Sequence, residues 1–326
     1  MLNASPSLAT IGSAGPLLVT GASGFVGWNA VRYFASRRHD VVATYRTCPH
    51  YLHDVDGVRV AQMDLLSETS VRDTIARFQP SVLLHCAALA QPQRDCDSEM
   101  LMLTNVEGTA MLAAHCGRSH IPIIYLSTDL VYPWNAGRVT VRSTVAPATA
   151  YGESKLRGED AVRTASARWV IVRATLMYGP GTPRSRSFSQ FLEQHWERNI
   201  PAPVFTDQRR SFLHVDDLVA AIETVLRSDE SWNTVYLCGG PESMSRYEFA
   251  LRYARLLGVD ERLLSPMSTS DLLGYSGGPG TIDLDTNPLR RLGWSARTLE
   301  DSVSRPPPRP LTPCDDGNQD QRPDSA

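Results

Sequence analysis

Short, uninterrupted apolar runs alternate with stretches of helical periodicity through the first half of the chain. Leu17-Leu18-Val19, Val41-Val42-Ala43-Thr44, Ser81-Val82-Leu83-Leu84, Pro122-Ile123-Ile124-Tyr125-Leu126 and Trp169-Val170-Ile171-Val172 read as strands. Between them, segments at about 25–37, 69–78, 100–118 and 150–165 carry helical patterns. Runs that are apolar without alternation belong to strands covered on both faces, so the pattern predicts a parallel sheet between helical layers. Right-handed crossovers make such a series a doubly wound α/β sheet. Beyond about Leu176 the alternation gives way to a Gly/Pro/Arg/Ser loop at 179–187 and then to mixed helices and short strands.

The organisation expected from this pattern has four parts. Residues 1–15 form a tail without periodicity, and 16–176 form the sheet domain, to which about 208–240 return. Residues 177–304 make a smaller lobe at the sheet's carboxyl edge, where open α/β folds bind ligands. Residues 305–326, which contain Pro306-Pro307-Pro308, are too polar and proline-rich to offset their ordering entropy and are expected to be disordered.

Composition narrows the classes. The chain has 326 residues, 42% hydrophobic and 21% charged, which is enough to bury a sizeable core. Its formal net charge of −3 gives no reason to expect a nucleic-acid partner, and no stretch approaches the roughly 20 apolar residues of a membrane span. The cysteines at 48, 86, 96, 116, 238 and 314 form no CxxC pair and no cluster at metal-ligand spacing. Those among apolar neighbours read as small buried hydrophobes in a reducing compartment, and the start lacks a basic, long-apolar signal, so the cytoplasm is expected.

Two motifs carry chemistry. Thr20-Gly21-Ala22-Ser23-Gly24-Phe25-Val26-Gly27 lies between a strand and a helix, with glycines spaced GxxGxxG. A tight glycine turn there lets the backbone approach a pyrophosphate at the helix N-terminus, as in a Rossmann-type dinucleotide site. The second strand ends in Thr44-Tyr45-Arg46 with no acid for a ribose diol, and an arginine can pair with a 2′-phosphate, so NADP(H) is favoured over NAD(H). Asp64, followed by Leu65, falls after a third strand and could accept from the adenine amino group. The second motif, Tyr151-Gly152-Glu153-Ser154-Lys155, puts a phenol and an ammonium one helical turn apart. Such an ammonium is expected to lower the tyrosine pKa toward working pH and make a general acid/base. Ser127-Thr128-Asp129 at the end of the preceding strand adds hydroxyls at the sheet's carboxyl edge.

Further blocks follow in order: His85-Cys86-Ala87-Ala88, Asn105-Val106-Glu107-Gly108-Thr109, Ser127-Thr128-Asp129-Leu130-Val131-Tyr132, Tyr178-Gly179-Pro180-Gly181 and Phe212-Leu213-His214-Val215-Asp216-Asp217. With the glycine turn and YGESK, they make the chain resemble the extended short-chain dehydrogenase/reductase superfamily over nearly all of residues 16–300. The wording is most similar to the dTDP-4-dehydrorhamnose reductase-like branch of the NAD-dependent epimerase/dehydratase family. The resemblance implies that Thr128 hydrogen-bonds the substrate oxygen, Tyr151 delivers its proton, and Lys155 binds the nicotinamide ribose. It implies cofactor contacts at Gly21, Ser23, Gly24, Phe25, Val26, Gly27, Ala87, Ala88, Asn105, Tyr151 and Lys155, with Asn105 also supporting the active edge. Substrate contacts fall at Thr128, Asp129 and Arg210, the last matching an arginine that touches nucleotide phosphates.

Related dehydratases carry an Asp-Glu pair after the hydroxyls, whereas Leu130 follows Asp129 here, which removes one of their two carboxyl groups. The expected activity is therefore NADP-dependent reduction of a keto group in a sugar nucleotide, specifically a nucleotide-activated 4-keto-6-deoxysugar. An epimerase, a reductase of another small carbonyl, and a non-catalytic NADP-binding regulatory subunit are the alternatives, and flanking helices leave room for a homodimer. In the lobe, Arg184, Arg186, Arg209 and Arg210 either converge on a diphosphate or are solvated. Trp196 reads as core, and Cys96 and His195 as incidental.

Overall fold

A computed structural model describes residues 15–47, 50–89, 98–183, 185–272 and 278–303. The tails expected at 1–15 and 305–326 lie outside the described residues, Gly15 excepted, as do Arg184 and Cys96.

Seven strands form the main sheet: β1 (Leu17–Thr20), β2 (Val41–Tyr45), β3 (Val58–Gln62), β4 (Val82–His85), β5 (Ile123–Thr128), β6 (Trp169–Ala174) and β7 (Thr234–Cys238). They run parallel in the order β7-β6-β5-β4-β1-β2-β3. The chain winds outward from β1 through β2 to β3, then returns to β4 on the other side of β1. The reversal between β1 and β4 opens a crevice at their carboxyl ends, where doubly wound sheets hold ligands.

The helices are α1 (Phe25–Ser36), α2 (Glu68–Phe78), α3 (Ser98–Met102), α4 (Thr109–Arg118), α5 (Ala150–Ala165), α6 (Phe188–Glu197), α7 (Val215–Leu226) and α8 (Arg246–Leu257). Strand alternation divides the core between the two faces of the sheet. Leu17 and Val19 pack with Val31, Phe34, Leu218 and Ile222 beneath α1 and α7. Leu18, Leu83 and Tyr125 pack with Val71, Leu112 and Val162 beneath α2, α4 and α5. The uninterrupted apolar runs in the sequence are this two-sided burial. The helix expected over about 100–118 is broken by a π-helical segment, Leu103–Gly108, between α3 and α4.

The second lobe holds a four-stranded sheet in the order Met244–Ser245, Gln208–Arg210, Gly280–Leu284, Gly137–Val139. One of its strands, Gly137–Val139, comes from the first half of the chain. Ser187 and Ser245 start α6 and α8 with capping boxes, pairing with Gln190 and Glu248. Phe212 and Phe249 stack at 4.4 Å in the core behind these helices. Among the described residues, no helix is long and apolar enough to cross a membrane.

Candidate active site

The glycine turn sits at the reversal. Gly21 has φ +63°, and a Cβ on it would lie 2.6 Å from Ala87 Cα, so a side chain would push the turn off the end of β4. A Cβ on Gly27 would lie 2.2 Å from the Gly21 carbonyl oxygen, which shows how closely α1 packs on the turn. Gly24 caps α1 without a side-chain hydrogen bond, and no acidic residue occupies the first turn. The N-terminal N–H groups of Phe25, Val26 and Gly27 thus keep their positive potential for an anion. From below, the Ser23 carbonyl accepts hydrogen bonds from the Tyr51 hydroxyl and from Thr182 Oγ1, the latter at 3.4 Å.

The next strand ends surround this cradle. Thr20 Oγ1 accepts the Ala87 N–H at 3.2 Å and lies 2.7 Å from His85 Nδ1. His85, fully buried, also reaches Thr109 Oγ1 at 3.0 Å; burial, reinforced by the nearby Lys155 charge, lowers its pKa to about 3, so the ring is neutral. Ala87 and Ala88 are half-buried beyond β4. Arg46 is exposed just past β2, and among the described residues its guanidinium has no ion-pair partner. Asp64, beyond β3, turns its Oδ1 onto the Leu66 N–H at 3.0 Å, while buried Leu65 lies against Gly108. Asn105, on the π-helical segment, clamps Leu89 by accepting its N–H at 2.8 Å and donating to its carbonyl at 2.9 Å. It also donates to Ser154 Oγ at 3.0 Å, tying the loop after β4 to α5.

Tyr151 and Lys155 lie on α5, which Thr149 starts by accepting the Gly152 N–H at 3.0 Å. A Cβ on Gly152 would stand 2.2 Å from the Leu130 carbonyl, so the first turn of α5 rests directly on the segment after Thr128. Strand alternation sends Ser127 and Thr128 to opposite sides. Ser127 donates to Glu159 Oε1 at 2.6 Å, away from the cleft. Thr128 Oγ1 accepts the Leu130 N–H at 3.2 Å and donates to Asp129 Oδ1 at 3.3 Å, which leaves a lone pair unused.

The electrostatics correct one expectation. Lys155 does not bring the Tyr151 pKa down: burial, and then the Asp129 carboxylate, raise it above the ordinary tyrosine value. Lys155 itself is only 2% exposed, and burial lowers its pKa to about 7. Its Nζ lies over the Tyr125 ring, 4.0 Å from the centroid, and makes no hydrogen bond or ion pair among the described residues. The site therefore holds a protonated phenol at neutral pH, together with a Lys155 amine that titrates near neutrality and whose hydrogens are unclaimed.

Arg210 is no surface residue. It is 4% exposed, with Nε 3.4 Å from Asp129 Oδ2 and Nη1 2.7 Å from the Arg209 carbonyl. Thr175 donates to the same Asp129 oxygen at 3.2 Å. Arg209, its strand neighbour, points to the other face and pairs with Glu248 at 2.7 Å, so these two arginines do not converge on one ligand. Trp196 is a core residue, 8% exposed, that donates to the Leu263 carbonyl, and His195 packs its ring on Phe191.

Two features went unread in the sequence. Glu159, wholly buried, receives Arg173 through two bonds of 2.9 and 2.7 Å, with Arg163 and Ser127 also donating. The signal was an arginine ending the apolar strand Val170-Ile171-Val172. Composition held a second signal: of 32 basic residues, Lys155 is the single lysine. Everywhere else this chain uses arginine, whose guanidinium stays charged and demands a planar fork of acceptors.

A family model described as "RmlD substrate binding domain" matches residues 15–305. Among curated proteins, the chain is 28% identical over 298 residues to "Probable low-salt glycan biosynthesis reductase Agl14" of Haloferax volcanii, covering 88% of this chain and 95% of that protein. It is also 28% identical over 288 residues to "Methionine adenosyltransferase 2 subunit beta" of Xenopus laevis, covering 86% and 83%. In fold it matches the dTDP-4-dehydrorhamnose reductase of Bacillus anthracis, solved in complex with NADP, with a TM-score of 0.73 and 21% identity over 89% of this chain and 98% of that one. The motif order that suggested a dTDP-4-dehydrorhamnose reductase-like protein is thus borne out: the chain belongs to the RmlD substrate binding domain family.

Proposed function

We propose that the protein is a cytoplasmic, NADP-preferring reductase of a keto group, with a nucleotide-activated 4-keto-6-deoxysugar as substrate. The observation that carries the reading is the place of the Tyr151 phenol, on the first turn of α5 where Gly152 rests against the segment that follows Thr128. A reduction needs a proton donor at the carbonyl oxygen, and a tyrosine phenol is un-ionised at neutral pH and so carries that proton. The similarity to a curated glycan biosynthesis reductase supports it.

The cradle fits a dinucleotide: a Cβ at Gly21 would collide with Ala87, α1 starts without a side-chain cap, and the Lys155 ammonium has unclaimed hydrogens. Bound there, a reduced nicotinamide supplies the hydride. This chain's residues do the rest. Ser23, Phe25, Val26 and Gly27 offer backbone N–H groups to the pyrophosphate at the turn that Gly21 and Gly24 shape, the Gly24 N–H closing that turn on the Gly21 carbonyl at 2.9 Å, and Lys155 donates to the nicotinamide ribose. Ala87 and Ala88 keep the path clear, Asn105 fixes the loop beside them, and Asp64 and Leu65 flank the adenine. Thr128 orients the carbonyl oxygen by swinging its hydroxyl proton to it from Asp129 Oδ1, and Tyr151 protonates it. Asp129 and Arg210 line the substrate side. The phosphate contact implied for Arg210 competes with its bonds to Asp129 and to the Arg209 carbonyl.

Arg46 makes the cofactor preference testable. Arg46→Asp should weaken NADPH binding by about tenfold to a hundredfold, the loss of one or two charge-assisted hydrogen bonds, and leave NADH binding near its original value. Calorimetric titration with both cofactors reads this; an unchanged NADPH/NADH ratio would remove Arg46 from the 2′-phosphate site.

The similarity to a methionine adenosyltransferase subunit favours a second reading, a non-catalytic NADP-binding subunit. The complete Thr128/Tyr151/Lys155 set speaks against it. A stable complex with an adenosyltransferase catalytic subunit on a sizing column, together with absent turnover, would favour it. An epimerase would use the same residues and show product without net NADPH consumption.

A further inference from the structure

A buried ammonium normally requires a carboxylate or several acceptors, since desolvation disfavours its charged form. Lys155 has neither among the described residues. The charged and titratable groups around it are His85 and Cys86 at the end of β4, Tyr151 and Glu159 on its own helix, and Tyr125 on β5. His85 is neutral, and burial pushes the Cys86 thiol up to about 12, so neither carries charge at pH 7. Tyr151 is a phenol. Glu159 is the single anion of the group, and its oxygens are taken by Arg173, Arg163 and Ser127.

What does meet the ammonium is the Tyr125 face, 4.0 Å from Nζ to ring centroid. The ring is held from three sides. Tyr125 is fully buried in the sheet core, and its hydroxyl donates to the Lys155 carbonyl at 3.4 Å. On α5, Gly158 makes room for it: a Cβ there would stand 2.2 Å from the Tyr125 hydroxyl oxygen. The seat and its occupant are thus built from the same strand–helix contact.

We infer that Tyr125 is a positioning residue for the reaction, its ring face serving as the seat that favours and aims the Lys155 ammonium while leaving its N–H groups free for cofactor hydroxyls. A carboxylate in that place would take up the donors; an aromatic face attracts the charge through its quadrupole and uses none of them. A lysine suits this seat: its compact ammonium stands on the ring and points its N–H groups forward, whereas a guanidinium, which also stacks on rings, spreads its donors in a plane. The consequence for cofactor binding rests on the function proposed above, but the seat itself does not.

Because Lys155 is the sole lysine, protein grown on lysine labelled with carbon-13 at Cε gives one side-chain signal, and its titration needs no assignment. Wild-type Lys155 should titrate near its lowered pKa of about 7. Tyr125→Phe keeps the ring and should titrate within a few tenths of a unit of wild type. Tyr125→Leu and Tyr125→Met fill the space without a ring, and there the midpoint should fall by about one unit. NADPH affinity, measured between pH 6 and 9, supplies the functional arm. The ring-less variants should bind nearly as wild type at the acid end and progressively worse as pH rises, since their ammonium is lost earlier. A Leu or Met variant titrating like wild type, or a Phe variant shifted by more than about half a unit, overturns the seat. If wild type binds no nicotinamide cofactor, the proposed function fails, and the carbon-13 titration still decides the role of Tyr125.

Discussion

A Tyr151→Phe protein should bind NADPH as the wild type does and lose at least about a hundredfold in kcat, the lower end of what a positioned proton donor contributes. The loss belongs in kcat because the substitution removes only the hydroxyl, leaving the ring in its half-buried place on the first turn of α5. The fold does not depend on that hydroxyl, which makes no hydrogen bond among the described residues. The pH profile adds a second signature. Burial and the Asp129 charge hold the phenol above its ordinary pKa, so the acid form persists through neutrality and the reduction rate should fall only on the alkaline side. A Phe variant with kcat within about threefold of wild type would show that another group delivers the proton.

The second large effect concerns stability. Arg173→Met should cost about 3 kcal/mol, because it leaves the fully buried Glu159 carboxylate with Arg163 and Ser127 as its remaining donors. Arg163 is 30% exposed and supplies a partial substitute, which keeps the expected figure at the low end for a broken buried pair. Tyr132 also loses the guanidinium N–H that its hydroxyl accepts at 2.8 Å. Adding Glu159→Met should recover much of the loss, since replacing both members of a buried pair by apolar groups removes the unpaired charge. Urea denaturation of the two variants reads both numbers. A single variant within about 1 kcal/mol of wild type, or a double variant less stable than the single, would mean the pair does not hold β6 to α5 as described.

The sheet was largely legible from the sequence because its strands are buried on both faces and its helices are amphipathic, so pattern and environment coincide. The glycine turn was legible for a related reason: at Gly21 and Gly27 no side chain fits, and the spacing records that. Strand alternation separates the hydroxyl pair Ser127-Thr128, and the contacts decide which goes where: Ser127 bonds to Glu159 on α5, whereas Thr128 turns back onto the Leu130 N–H. The electrostatics were not legible. That Tyr151 and Lys155 share a helix face is a matter of spacing, but whether the ammonium lowers the phenol's pKa depends on desolvation and on Asp129, which lies on another element. Arg210 shows the same limit. Its motif position implied a phosphate ligand; the pairing with Asp129 that competes with such a contact is set by neighbours in space. In the second lobe, short strands and loops carry little periodicity, and the contribution of Gly137–Val139 to its sheet is a long-range pairing no local pattern records.

The measurement that bears most directly on the central claim is NADPH consumption by the wild-type protein with a dTDP-4-keto-6-deoxysugar, followed by the loss of reduced-nicotinamide absorbance and by product analysis. Stoichiometric oxidation of NADPH is expected, with a new secondary alcohol in the sugar and a rate that the Tyr151→Phe protein does not approach. Tight NADPH binding with no oxidation across a panel of keto sugars and small ketones would contradict it, and would leave the protein a cofactor-binding subunit with a reductase's site.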